Sequence, residues 1–337
     1  MPAIRVAKSC TYRRVGRCYH ARVPAPPTLH AAAFPRRVSI EPTNHCNQRC
    51  VLCPRQGFTR PLGFMPMALF QRIVDECAEH ETAVWLHFLG EPLLHRELVP
   101  MIRYAKRAGV KQLGLSTNGV SLRGAIAEAL LDSGLDRLEC SLDANDREGY
   151  AAMRGRDHFE RVERNVRDFL RMKNARGLER PVTSIQFMRT PEVEAQLAEL
   201  VEAWRPDLGP RDFVMTIRPA PFGGAIGAGH TQESAAPRPP CSWLFSSVMV
   251  LQDGTVSMCG ADWDAGAPLG HLEDATLAEI WRGAEAERRR RAHLEGRFAD
   301  AGPCGTCRDW TLADGSGYAN ALEEVAERRV AAAGSAR

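Results

Sequence analysis

Between residues 37 and 218 the chain alternates between short β-branched apolar runs and longer amphipathic stretches. The apolar runs are "RRVSIEPT", "AVWLHFL", "KQLGLST", "RLECSLDA", "PVTSIQFM" and "RDFVMTIRP". Between them lie "MALFQRIVDECAEH", "LVPMIRYAKRAG", "LRGAIAEALLDSG", "FERVERNVRDFLRMKNARG" and "PEVEAQLAELVEAW", all with helical periodicity. Strand followed by helix on this scale points to a parallel sheet covered by helices. Six such strands predict an α/β fold, an open and partial (β/α)6 barrel over residues 37–220. In a parallel barrel the functional groups gather where the strands end.

The strand ends are chemically unusual. Strand one runs into "EPTNHCNQRCVLCPR", which puts Cys46, Cys50 and Cys53 on one loop. Strand two ends at Gly90-Glu91-Pro92, strand three at Ser116-Thr117-Asn118-Gly119, and strand four at Ser141-Leu142-Asp143. Tetrahedral zinc and ordinary iron–sulfur clusters take four protein ligands, and this loop supplies three. Three thiolates on a cubane cluster leave one iron open, and an amino acid can chelate it through amine and carboxylate.

The three-cysteine spacing, followed by "GEP", "STNG" and "SLDA" at successive strand ends, resembles the radical S-adenosylmethionine (SAM) superfamily. Leu89 stands where the family's "GGEP" segment carries its first glycine. The resemblance implies a [4Fe–4S] cluster on Cys46, Cys50 and Cys53 with SAM at the open iron. It implies that Glu91 and the backbone near Gly90 receive the methionine ammonium, with Ser116, Asn118, Ser141 and Asp143 near the ribose and carboxylate. The reduced cluster then yields a 5′-deoxyadenosyl radical, so the cofactor carries the hard chemistry.

"PFGGAIGAGHTQESAAPRPP", residues 221–240, reads as a linker. After it, "WLFSSVMVLQDGTVSMC" predicts a β-hairpin turning at Asp253-Gly254, and "ATLAEIWRGAEAERRRRAHLEG" predicts one helix. Cys241, Cys259, Cys304 and Cys307 make a complete four-thiolate set, enough for a closed [4Fe–4S] cluster or a structural zinc. Their order resembles the auxiliary-cluster domain called SPASM in its shortened "twitch" form. No cysteine follows Cys307, so one auxiliary cluster is expected. The expected organisation is therefore an extension (1–36), the barrel (37–220), the linker, the cluster domain (241–312) and a terminal helix (313–337).

A hydrophobic content of 44% and a net charge of +3 are those of an ordinary globular chain and argue against a nucleic-acid or anionic-membrane partner. No segment approaches the length of a transmembrane helix and the first residues lack a signal-peptide core, so a cytoplasmic location is expected. In a reducing compartment cysteines serve as ligands or buried thiols before disulfides. Cys77 falls on the apolar face of Phe70, Ile73 and Val74, and Cys140 alternates with Ser141 toward the outer helices. Cys10 and Cys18 lie in the unassigned extension. His45 and His87 read as structural, Arg154 as structural or as a partner of the SAM carboxylate, and on strand five either Gln186 with Met188 or Phe187 lines the barrel. Arg218, at the end of strand six, is the candidate catalytic residue, able to grip a carboxylate or polarise a hydroxyl.

The cluster content resembles the radical SAM dehydrogenases that oxidise 2-deoxy-scyllo-inosamine in aminoglycoside biosynthesis. That implies oxidation of a secondary alcohol on a sugar or aminocyclitol, with flavodoxin or ferredoxin as electron donor. Redox-neutral decarboxylation of a sugar acid is the alternative, and peptide modification fits less well because the cysteine set is short.

Overall fold

The computed structural model describes residues 31–226, 238–312 and 318–335. Cys10, Cys18, the arginines of the extension and most of the linker lie outside the described residues. Strands β1 (Arg37–Ile40), β2 (Ala83–Leu86), β3 (Leu113–Thr117), β4 (Arg137–Ser141), β5 (Val182–Met188) and β6 (Phe213–Ile217) lie side by side in chain order, each parallel to the next. Helices α1 (Met67–Glu79), α2 (Leu98–Ala108) and α3 (Gly124–Leu131) follow the first three strands; α4 (Arg147–Arg154) and α5 (Phe159–Ala175) both follow β4. The stretch after β5 divides into α6 (Pro191–Ala195) and α7 (Leu197–Trp204).

Local chemistry explains these elements. α1 buries Phe70, Ile73, Val74 and Cys77, a stripe at helical spacing. α2 stops at Gly109, whose φ of 102° is left-handed and costs a glycine little. Short α4 was not among the expected helices, although its signals are present: Asp146 caps it by accepting from the Gly149 amide, and Gly155 ends it at φ 68°.

The pleat sorts each strand into two faces. Ile40, Leu86, Leu115, Cys140, Ile185 and Val214 share one core with helix residues such as Met101 and Phe169. Cys77 and Cys140 thus sit in the core, as expected. The alternate residues turn into the barrel, in registered rows such as Ser116–Glu139–Ser184 and Ser141–Gln186–Met215. Deeper in, Trp85 pairs with Gly114, and a Cβ on that glycine would lie 2.6 Å from the indole. Trp85 fills the barrel floor because Gly114 has no side chain.

The C-terminal unit departs from expectation in two ways. Its hairpin, β7 (Ser247–Val250) and β8 (Thr255–Ser257), is continuous with the barrel sheet, because β7 pairs parallel with β1 in the register Arg37–Ser247 to Ile40–Val250. With β9 (Gly270–His271) beyond β8 and β10 (Tyr318–Asn320) antiparallel to β6, the sheet has ten strands, ordered β10-β6-β5-β4-β3-β2-β1-β7-β8-β9. The single helix expected after the hairpin is two, α9 (Leu277–Arg282) and α10 (Ala284–Leu294), because Gly283 is extended at ψ 163°. A short helix, α8 (Trp243–Ser246), precedes β7, and the last helix, α11, runs Ala321–Ser335. No helix among the described residues is long and apolar enough to cross a membrane.

The Trp85–Gly114 contact has a measurable consequence. Gly114→Ala should overpack the barrel floor and cost about 1–3 kcal/mol. Urea unfolding of the metal-free protein should therefore show a lower midpoint; an unchanged midpoint would mean that Trp85 can move aside.

Candidate active site

The three-cysteine loop is built onto the junction of barrel and hairpin. Glu41, at the end of β1, accepts a bidentate pair from Arg60 at 2.6 and 2.8 Å, and Arg60 also donates to Gln252 Oε1 at 3.0 Å. The Glu41 amide donates to the Val250 carbonyl, extending the β1–β7 pairing. After Cys53 the chain doubles back: Thr43 and Asn44 hold Gly63 and Pro61 at 2.7–2.9 Å. Phe58 stacks on Trp263, and Asp264 accepts from the amides of Thr59 and Arg60 and from the Thr59 hydroxyl. His45 stacks on Phe64 with ring centres 4.7 Å apart, a packing role.

The "GEP" segment passes directly beneath this loop. A Cβ on Gly90 would lie 1.8 Å from the Thr43 carbonyl, so only glycine fits, and the Glu91 amide donates to His45 O at 2.8 Å. Glu91 itself is turned into the protein. Its carboxylate accepts from the Leu93 amide (3.0 Å), the Thr117 hydroxyl (2.7 Å) and the Asn118 amide (2.7 Å) and is 1% exposed. Burial raises its pKa, while those three donors pull the other way. The side chain expected to meet an ammonium is therefore first a brace between the ends of β2 and β3.

Other expected residues reach the thiols. Asn118 Nδ2 lies 2.7 Å from Asn47 Oδ1 and 3.8 Å from Cys46 Sγ. Ser141, at the end of β4, offers its hydroxyl to Gln186 Nε2 at 3.4 Å, and Ser116 faces the barrel one row deeper. Asp143 is buried and paired with Arg154 at 2.8 Å, and Arg154 Nη1 stands 3.6 Å from Cys50 Sγ. Arg154 also donates to the Ser141 carbonyl. Burial works against its charge, but Asp143 and Cys50 outweigh burial and raise its pKa. Sequence reasoning left the role of this arginine open; the capped helix α4 that delivers it was the available signal. Arg218 stands just past β6, half-buried.

The second set is deeper. Cys241, Cys259, Cys304 and Cys307 are all buried and free, whereas Cys46, Cys50 and Cys53 are half-buried. Burial raises Cys53 to about 11 and Cys241 to about 12, and the neighbouring thiols push in the same direction. Thiols so placed stay protonated until cations arrive, and irons reverse the balance. Among the described residues no three Cys, His, Asp or Glu side chains surround one ion-sized point. A cubane needs no such point, since its ligands bind different irons. Both sets fit [4Fe–4S] clusters on these grounds.

The buried Asp143–Arg154 pair generates a double-mutant test. Arg154→Gln leaves a buried carboxylate alone and should cost about 3–5 kcal/mol, which Asp143→Asn in the same chain should largely restore. Urea unfolding of the two single variants and the double variant measures that coupling; additive losses would contradict it.

Sequence and structure comparisons agree with this geometry. The radical SAM superfamily matches residues 40–203, and an iron–sulfur cluster-binding domain, SPASM, matches residues 241–308. A tungsten-containing aldehyde ferredoxin oxidoreductase cofactor-modifying protein of Pyrococcus furiosus is 27% identical over 163 residues, 48% of this chain and 46% of that one. A probable GTP 3′,8-cyclase of Methanopyrus kandleri is 37% identical over 115 residues, 34% of this chain and 36% of that one. The aligned stretch thus spans less than half of each curated relative. Among solved structures, BtrN in complex with AdoMet and 2-DOIA has a TM-score of 0.55 at 17% identity, covering 81% of this chain and 93% of that one. Streptococcus suis SuiB bound to precursor peptide SuiA has a TM-score of 0.63 at 13% identity, covering 75% and 66%. These structural likenesses share the fold. The chain carries a radical SAM domain and a C-terminal SPASM domain, with SAM and iron–sulfur clusters as its cofactors.

Proposed function

We propose that this enzyme oxidises a secondary alcohol of a small polar sugar or aminocyclitol to a ketone. The observation that carries the reading is the second set of four buried thiols, two flanking the hairpin fused to β1 and two after the last helix of that unit. When bound, the cluster–SAM pair would supply a radical that takes the carbinol hydrogen; the hydroxyl proton would pass to a base and the remaining electron to the auxiliary cluster. Redox-neutral chemistry needs no such acceptor.

The chain's own residues supply positioning. Asn118, Ser141 and Asp143 hold SAM's ribose and carboxylate, and the backbone at Gly90 meets its ammonium. Ser116, Glu139, Ser184 and Gln186 give the barrel interior polar groups for a hydroxylated substrate. The Trp85 floor keeps that substrate near the mouth. Arg218 grips an acidic or hydroxyl group at the rim, and an acidic one-electron carrier such as flavodoxin or ferredoxin is the donor. The similarity to BtrN favours an aminocyclitol, since that structure holds 2-DOIA.

Product analysis with 2-deoxy-scyllo-inosamine, SAM and a reductant tests this. The expected product is lighter by two hydrogens, and deuterium on the carbinol carbon should appear in 5′-deoxyadenosine. Arg218→Gln should raise KM more than it lowers kcat. Carbon dioxide released from a sugar acid, with no ketone from any alcohol, would replace this reading with a decarboxylase.

A further inference from the structure

The charges around the auxiliary thiols are unequal. Arg289 is spent on Glu285 at 2.7 Å and on the carbonyls of Ala267 and Pro268. Arg290 lies against Trp281 and pairs with Glu287 at 2.5 Å. Arg238 differs: its Nη1 donates to the carbonyl of the ligand Cys304 itself at 2.6 Å, and its guanidinium lies 4.2 Å from the centre of the Phe298 ring, with Trp310 beyond at 5.8 Å. Among the described residues no carboxylate is paired with Arg238. Carboxylates also border the thiols. Asp309 Oδ2 is 3.3 Å from Cys307 Sγ and also accepts from the Gly223 amide, and Asp262 accepts from Ser257.

Reducing a buried cluster adds negative charge, which a nearby cation stabilises and nearby carboxylates oppose. We infer that Arg238 sets the reduction potential of the auxiliary cluster, holding it high enough to accept an electron against the pull of Asp262 and Asp309. This deepens the alcohol-oxidation reading and rests on it for its purpose, though not for its measurement. Arg238 touches no substrate; it acts through the cluster's surroundings, as outer-shell groups do at other metal sites.

The test is an EPR-monitored redox titration of the reconstituted full chain. Cys46→Ala, Cys50→Ala and Cys53→Ala are included so that only the auxiliary cluster contributes signal. Arg238→Gln should lower the reduction constant about tenfold, about 59 mV for one electron. Arg238→Lys, which keeps the charge, should stay near the parent. Phe298→Glu keeps the Arg238–Cys304 hydrogen bond but sets a carboxylate against the guanidinium, so it too should lower the potential. This second variant decides the matter if the glutamine variant fails to load iron. An unchanged potential in an iron-replete Gln or Glu variant, or a Lys variant that falls as far as Gln, overturns the inference. Ketone formation is scored separately, so loss of the alcohol-oxidation reading leaves the measured potentials standing.

Discussion

The buried pair between Glu41 and Arg60 is the point on which the rest of the site depends. Glu41 closes β1 just before the first cysteine, and Arg60 lies beyond the third, so the pair closes the three-cysteine loop at its base. Both side chains are almost wholly removed from water, at 6% and 0% exposure. A pair so placed contributes little net stability over an apolar replacement, but losing one partner strands a charge. Its effect is to fix register. Through Gln252 the same arginine reaches the strand turn of the C-terminal hairpin, so one contact aligns barrel, loop and auxiliary unit.

That alignment gives the two thiol sets different characters. The first is half-buried at a barrel mouth, with Asn118 and Arg154 reaching its sulfurs. The second is buried, with a guanidinium on the Cys304 carbonyl and a carboxylate against the Cys307 sulfur. In the proposed reading the open site receives SAM and substrate and the closed one exchanges electrons, and the difference in burial suits that division.

Much of this was legible in the sequence, and the remainder has identifiable reasons. Periodicity located six parallel strands, and the thiol, "GEP" and "STNG" segments fell at their ends because parallel barrels place loops there. The Asp253-Gly254 turn was readable from its residues, and Gly254 adopts φ 97°. The parallel pairing of β7 with β1 was not readable, because it joins segments far apart in the chain and leaves no local pattern. The brace that Glu91 forms was not readable for a similar reason: its three donors come from the next strand end as well as from its own turn. Gly283 was a visible break that the helix-forming residues on either side concealed.

The central claim is that one chain holds two four-iron clusters side by side. The direct measurement is iron and acid-labile sulfide per chain after anaerobic reconstitution, beside a Cys241→Ala/Cys259→Ala variant. About eight irons in the parent and about four in the variant are predicted. About four irons in both, with zinc bound at the second set of the parent, would contradict the account and remove the electron acceptor from it.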